Sequence, residues 1–352
     1  MIESTRKPSN VIFMTISPPT ITVIIPALNE EARLGLLLDN LASQTKQPDE
    51  VFVIDGGSTD ATREIAISNP NVEVKVLKNP HQRVPHGLNI GLAKASSDIV
   101  VRIDAHSTIN DQYLELIAQN FSENPEAGGV GGVKIAKAET ETGKTIAKVL
   151  SSKLAVGGSS YHYATEKSEV DHIPFGAYRK SVLKGLGGWD AAILVNQDYE
   201  LDYRVRQAGH KLLLDPNIKI NWHSRETLSQ LFHQYHRYGQ GKASVIRKHP
   251  TSIQPRHLLP AALIITLFMA MVIAISGISF IPLLIPIGYV ALLIASTLTM
   301  GLRGFGAHVT AVRALTAMQL GYGLGLIRNM VSSLFMEQPS MSGSQTSQLS
   351  GQ

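Results

Sequence analysis

The chain has 352 residues, enough for one sizeable domain and an appendage, with 44% hydrophobic residues and a modest net charge of +4. It has no cysteine, which excludes disulfides, thiolate metal sites and cysteine nucleophiles. Basic residues Arg237, Lys242, Arg247, Lys248 and Arg256 gather before a long apolar run with no zinc-finger or aromatic RNA-binding motif beside them. Topology and anionic lipid therefore explain them better than nucleic acid.

Residues 1–19 read as a tail with no signal-peptide pattern. Strands are predicted at Thr20–Pro26, Glu50–Asp55, Val72–Leu77 and Asp98–Asp104, with helices at Glu30–Ser43, Thr59–Ser68 and His86–Ala95 between them. Regular alternation of this kind gives an α/β fold, a mainly parallel sheet with helices on both faces. The strands are nearly continuous apolar runs, as expected where both faces are buried. Ligands bind such sheets beyond the carboxyl ends of the strands. Three acidic clusters lie there: Asn29-Glu30-Glu31, Asp55-Gly56-Gly57-Ser58 and Asp104-Ala105-His106.

Ser58, Thr59 and Asp60 suit the cap and first turn of a helix. Asp55 has no such duty, and a carboxylate at a strand end can accept hydrogen bonds from a base or ribose. Asp104 and His106 alternate on what reads as an extended segment, so both could reach one Mn²⁺ or Mg²⁺ ion together with phosphate oxygens. Arg102 and His106 binding phosphate directly is the competing reading. In Asn196–Gly209, Leu201 and Val205 stand i, i+4 and Gly209 closes a helix. Asp198 at its start is a helix cap or, at the mouth of a site, a general base. Glu200, Asp202, Arg204 and Arg206 read as a solvated face laced with ion pairs. Gln234-Tyr235-His236-Arg237-Tyr238 is either an interfacial anchor or a lid that brings Gln234 and Arg237 to a diphosphate.

After residue 240 the chain changes character. Residues 241–257 read as a basic juxtamembrane segment, 258–330 as a membrane region and 331–352 as a disordered tail. Leu258–Ile278 and Ile281–Met300 carry no charge, and each can cross a hydrocarbon core of about 30 Å. A third apolar segment, about His308–Ile327, carries Arg313 and many glycines and reads as a span or an interfacial helix. Positive charge before the first span puts the globular domain, 20–240, on the cytoplasmic side of a multi-pass inner-membrane protein.

The stretches TVIIPALNEE, IDGGSTDATREIA and GLNIGLAKASSDIVVRIDAH, followed by GGWD, QDYELDYRVRQAG and QYHRY, resemble the family 2 glycosyltransferases of the GT-A fold. The likeness covers about residues 20–240, and the membrane tail and the Asp-Ala-His variant look most like the succinoglycan-type glucosyltransferases of exopolysaccharide synthesis. It implies that Pro26, Leu28 and Glu30 flank the nucleotide and that Asp55 meets uracil or ribose. It also implies that Asp104 and His106 hold the metal and diphosphate, that Asp198 is the base, and that Gln234 and Arg237 belong to the diphosphate motif. Trp189 and Asp190 would form the acceptor wall, with core packing the competing reading for Trp189. His223 is either a further metal ligand or a strand-end residue. Departures from the family pattern are Gly56 for a second Asp, His106 for a metal carboxylate, Gln197 for Glu, and Tyr238 for Trp.

The activity so implied is inverting, metal-dependent transfer of a hexose from a nucleotide sugar, a UDP-sugar first, to a polyprenyl-diphosphate-linked saccharide. A polyprenyl-phosphate acceptor and a non-catalytic nucleotide-sugar-binding membrane scaffold are the alternatives.

Overall fold

The computed structural model describes residues 18–335. Most of the expected N-terminal tail, 1–19, and the part of the expected C-terminal tail beyond 335 lie outside the described residues. Residues 331–335 are helical rather than tail.

The strands are β1 (Ile21–Ala27), β2 (Glu50–Asp55), β3 (Lys75–Lys78), β4 (Ile99–Arg102), β5 (Thr108–Ile109), β6 (Ala127–Lys137), β7 (Ser168–Glu169), β8 (Ala177–Arg179) and β9 (Lys211–His223). They form one nine-stranded sheet in the order β3-β2-β1-β4-β8-β6-β9-β5, with β7 also on β9. Pairs β1/β2, β1/β4, β2/β3 and β6/β9 are parallel, and β8 runs antiparallel between β4 and β6. The six longer strands therefore all point one way, and their carboxyl ends share one edge. β3 starts three residues later than expected. Asn69 Oδ1 accepts from the Asn71 and Val72 amides at 3.0 Å, and this side-chain turn holds 69–72 out of the ladder.

The helices of the sheet domain are α1 (Leu34–Ala42), α2 (Thr62–Ser68), α3 (Val84–Lys94), α4 (Tyr113–Glu123), α5 (Glu141–Leu150), α6 (Lys153–Val156), α7 (Lys180–Gly185) and α8 (Gln197–Gln207). Leu34, Leu37, Leu38 and Leu41 form the i, i+3, i+4, i+7 stripe of α1 and are fully buried under Ile21, Val23 and Ile25 of β1. Ile24, on the other face of the pleat, packs with Phe52, Ile54, Leu88 and Leu92. Each such side chain contributes about 1.5–3 kcal/mol relative to exposure, so both faces of β1 anchor the strand that carries the first acidic cluster.

α9 (Leu228–Lys248) is continuous across the boundary expected at residue 240. α10 (Pro255–Ile275), and Ile281–Leu298 with α11 (Leu284–Leu298), are long and apolar enough to cross a membrane, and most of their side chains are exposed. Past α11 the chain comes back to the domain, where Lys148 Nζ donates to Gly301 O at 3.0 Å. The third apolar segment lies in α12 (Phe305–Phe335), which runs parallel to α9 with glycines at the contact. A Cβ at Gly325 would stand 2.0 Å from His236 O, and one at Gly239 2.0 Å from Tyr322 O. Only glycine permits that approach of two backbones.

Candidate active site

The first two strand-end loops are tied together by side chains. The Asn29 amide donates to Ser58 Oγ at 3.0 Å, the Thr59 amide to Asn29 Oδ1 at 2.9 Å, and the Glu30 amide to Thr62 Oγ1 at 2.7 Å. Asn29 takes a left-handed conformation at φ 56°, which asparagine tolerates. Asp55 is buried and accepts from the Ser58 amide at 2.9 Å, with Arg63 3.6 Å away, so one of its oxygens already closes the turn. Pro26 is half-buried, and Leu28 is half-exposed at the rim beside Gly56.

Asp104 to Ser107 form a turn, closed by the Ser107 amide on Asp104 O at 2.9 Å, rather than the extended segment expected. Asp104 Oδ1 receives both Nε and Nη2 of Arg102 at 2.9 Å. His106 Nδ1 lies 3.0 Å from Glu30 Oε1, which raises the imidazole pKa against the opposing effect of burial, and Asp104 reinforces the rise. A proton on Nδ1 leaves Nε2 as the lone-pair nitrogen, the carboxylate–histidine arrangement that commonly orients a metal ligand. Among the described residues, no three His, Asp or Glu side chains converge as a ready metal cage. One free oxygen of Asp104 and His106 Nε2 are two ligands, which fits a hard cation that takes its remaining oxygens from phosphate and water. Glu30 thus touches a candidate metal ligand, a contact absent from the sequence reading. His223 lines a 110 Å³ pocket together with His106, Arg33 and Asn221. Burial, then Arg33, lower its pKa and favour the neutral ring.

Asp198 opens α8, after Asn196 in the left-handed region at φ 63°. Its Oδ1 accepts from the Tyr199 amide at 2.9 Å. Burial pushes the carboxyl pKa up, but His172, Arg102, that amide and Lys134 outweigh it, and the group sits below its ordinary range. Asp198 is therefore ionised and surrounded by cations. Lys134 Nζ is 4.8 Å from the Phe175 ring centre and 4.1 Å from that of Trp222. Arg102 stacks on the same Phe175 ring at 5.4 Å. Burial lowers the Lys134 pKa to about 8, with Asp198 and Asp104 opposing. Phe175 holds its ring there at φ 53°, strained for a residue with a bulky side chain. Arg102 Nη1 and Trp222 Nε1 are buried donors with no hydrogen-bond partner among the described residues. None of Lys134, Phe175, His172 and Trp222 was foreseen. A lysine inside the strand VKIAK was the available signal.

The acids that follow Asp198 correct the solvated-face expectation. Glu200 and Asp202 are both 0% exposed. Glu200 binds Arg204 twice, at 2.9 and 2.8 Å, and His249 at 2.8 Å. Arg204 in turn donates to Leu186 O and Gly188 O at 2.8 Å, fixing the loop before Trp189. Asp202 accepts from Tyr178 OH and the Ile173 amide and pairs with His172 at 2.7 Å. Leu201 and Val205 point to one core, and the alternate side chains are sealed by charge pairing.

Trp189 is also corrected: it is 2% exposed, edge-on to Tyr178, and shows no face to a ligand. Asp190 Oδ2 is paired with Lys248, and its Oδ1 accepts from the Ala192 amide at 2.9 Å. Gln234 is buried and donates to Tyr238 OH at 3.0 Å, and the Tyr238 hydroxyl feels the Asp198 charge. Arg237 is exposed and makes no hydrogen bond or ion pair among the described residues. The structure thus gathers Glu30, Asp104, His106, Asp198, Gln234 and Tyr238 around one edge and leaves Trp189 and Arg237 apart.

Residues 22–187 match Glycosyl transferase family 2. The chain is 32% identical over 268 residues to the succinoglycan biosynthesis protein ExoA of Rhizobium meliloti (strain 1021), covering 74% of this chain and 80% of that protein. The chain belongs to glycosyl transferase family 2. A second relative is dolichyl N-acetyl-alpha-D-glucosaminyl phosphate 3-beta-D-2,3-diacetamido-2,3-dideoxy-beta-D-glucuronosyltransferase of Methanococcus voltae. It is 30% identical over 239 residues, 65% of this chain and 74% of that one. The mannosyltransferase PcManGT of Pyrobaculum calidifontis, solved with GDP-Man and Mn2+, superposes with a TM-score of 0.62 at 22% identity, over 90% of this chain and 88% of that chain. The sheet of this family 2 glycosyltransferase is thus the GT-A arrangement, with membrane-length helices after it.

Proposed function

We propose that the protein transfers a hexose from a nucleotide sugar to a polyprenyl-diphosphate-linked saccharide at the cytoplasmic face of the inner membrane, in cell-surface glycan synthesis. The observation that carries this reading is the ionised Asp198, set among Arg102, Lys134 and Tyr238 on the edge that also bears Asp104. An ionised carboxylate there accepts the proton of a sugar hydroxyl as that oxygen attacks the anomeric carbon. The oxygen enters opposite the leaving nucleoside diphosphate, and the configuration inverts in a single displacement. The neighbouring acids support inversion: Glu200 and Asp202 are sealed in charge pairs, and Asp104 is bound by Arg102. Among the described residues, no further carboxylate is free beside Asp198 to form a covalent intermediate.

A divalent ion, Mn²⁺ or Mg²⁺, held by Asp104 and His106 would neutralise charge on the departing diphosphate. Pro26, Leu28, Glu30 and Asp55 line the approach of base and ribose. Gln234 holds the Tyr238 hydroxyl where it feels the Asp198 charge, and Arg237, exposed on α9, is free to swing toward a bound diphosphate. Asp190 would meet the acceptor only after releasing Lys248. A UDP-sugar is the first donor to try. The GDP-Man complex of the Pyrobaculum protein makes GDP-sugars the second. The named substrates of the Methanococcus relative support a lipid-linked saccharide as acceptor.

The deciding assay is nucleotide release from UDP- and GDP-sugars by membranes carrying the protein, with polyprenyl-linked lipid extract and with Mn²⁺ or EDTA. Lipid-dependent release from one donor, lost in EDTA and in Asp198→Asn, is the expected result. Full activity in Asp198→Asn would point to a polyprenyl-phosphate acceptor, which is already an anion. No release with any donor would leave a binding scaffold.

A further inference from the structure

Lys242, on α9, is 6% exposed and has no carboxylate partner among the described residues. Its Nζ lies 2.9 Å from the centre of the Tyr199 ring. Burial pulls its pKa well below that of a free lysine, Arg256 and Arg206 add to the fall, and Asp198 opposes it. Arg206 stands on the same side with its Nε buried and unpartnered. The carboxylate of the cluster is Asp171, which accepts from Arg256 Nη2 at 2.9 Å and Gln254 Nε2 at 3.0 Å, with Arg206 Nη1 4.0 Å away. Asp171 therefore serves Arg256 and Arg206, and Lys242 beside them is left without a paired carboxylate among the described residues. Burial without a paired counter-charge disfavours the ammonium form, and an anion brought beside Lys242 would supply that counter-charge and restore the proton.

The place of the cluster says which anion. Tyr199 OH donates to Ser252 O at 3.1 Å, and His257 lies edge-on to the Tyr199 ring at 5.6 Å, so the cations sit where α9 gives way to α10. From that point the chain offers a 21-residue apolar helix, and Arg256, 41% exposed, opens the cluster outward. Lys242 and Arg256 have no part in the donor site described above.

We infer that Lys242, Arg206 and Arg256 bind the diphosphate of a prenyl-linked acceptor at the foot of α10, with the prenyl chain laid along that helix. The inference rests on the lipid-linked acceptor proposed above. Arginine forks and an ammonium together suit a diphosphate, and such charge-assisted bonds are the strong ones. With its phosphates anchored here, the acceptor presents a sugar hydroxyl toward Asp198, whose charge Lys242 already feels.

The test uses the full chain in detergent, titrated calorimetrically with farnesyl diphosphate in EDTA, which removes the ion that a diphosphate in the donor site needs. Wild type should bind. Lys242→Met should bind about 10- to 100-fold more weakly, the range of one lost charge-assisted bond, and Lys242→Arg should stay near wild type. Arg256→Gln is the second variant, should Lys242→Met not fold. Equal affinity in wild type and both variants overturns the site. Inorganic pyrophosphate binding as tightly as farnesyl diphosphate would reduce it to a free-phosphate site, and equal competition by phosphatidylglycerol would reduce it to general headgroup contact. Either result overturns the acceptor assignment. In the transfer assay, Lys242→Met should raise the acceptor KM about tenfold with donor KM unchanged. A wild type that never transfers to a lipid-linked saccharide would sink the proposed function, while the farnesyl diphosphate titration would still decide the anion site.

Discussion

The Asp198 carboxyl feels burial in one direction and His172, Arg102, a backbone amide and Lys134 in the other, and the second group wins. The base form is present above this depressed pKa and is lost only as pH falls through it. The acid limb of the rate profile should therefore lie below the ordinary aspartate pKa of about 3.9, wherever the fold survives to show it. Asp198→Asn should lower turnover by about 10²–10⁴ with donor KM unchanged, measured by nucleotide release. Burial holds the Lys134 pKa down at about 8, so if Lys134 takes part in the reaction it should set the alkaline limb. Rate should decline there, and Lys134→Arg should move the decline upward. An unmoved limb would remove Lys134 from the reaction. Glu30→Gln should raise the Mn²⁺ concentration needed for half-maximal rate by about 10- to 100-fold, the usual effect of losing the partner of a histidine ligand.

The placement of Asp104, His106 and Asp198 was legible because each stands within two residues of the end or start of an element at the carboxyl edge of the sheet, and their roles are proposals. Lys134 and Trp222 were not. They meet through the pairing of β6 with β9, which carries a register shift between Gly131 and Val133 that no local pattern announces. Trp189 was named for its chemistry, and its burial depends on α3, whose Asn89 bonds both the amide and the carbonyl of Trp189 at 2.8 and 2.7 Å.

At the scale of elements, strand alternation is a strong signal, and the first four strands stand close to where it puts them. α8 shows its limit. A helix so rich in charge reads as exposed, yet Glu200 and Asp202 are buried because each meets its full set of donors from distant parts of the chain. Glu200→Ala should leave Arg204 and His249 without their partner and cost about 3–5 kcal/mol, seen as a lower midpoint in chemical unfolding. The α9–α12 contact is equally exacting. Gly325→Leu drives a side chain into the His236 carbonyl, and a loss of at least about 1–3 kcal/mol is expected from a thermal melt in detergent. A melt identical to wild type would mean that the two helices do not meet as described.

As a whole, the molecule joins a sheet domain to an apolar hairpin of α10 and α11 whose surface is mostly exposed. So large an apolar surface needs a cover, and a bilayer supplies one. Alkaline carbonate should leave the chain in the membrane pellet, and its release would rule out a spanning hairpin. The sequence marks these two helices plainly by length and lack of charge. It does not mark that α12 packs along α9, because that depends on glycines of each helix meeting the backbone of the other.

The joint between α9 and α12 also sets a distance. The hairpin leaves the domain at the end of α9 and comes back at the start of α12, and those two helices are locked side by side. With the hairpin in lipid, that joint would hold the domain, and Asp198 with it, at one height above the headgroups. A glycan fixed at its lipid end grows outward, so each added sugar carries the free end past that height. For the lipid-linked acceptor proposed above, such a fixed height would act as a gauge, admitting a glycan of one length and releasing it once lengthened.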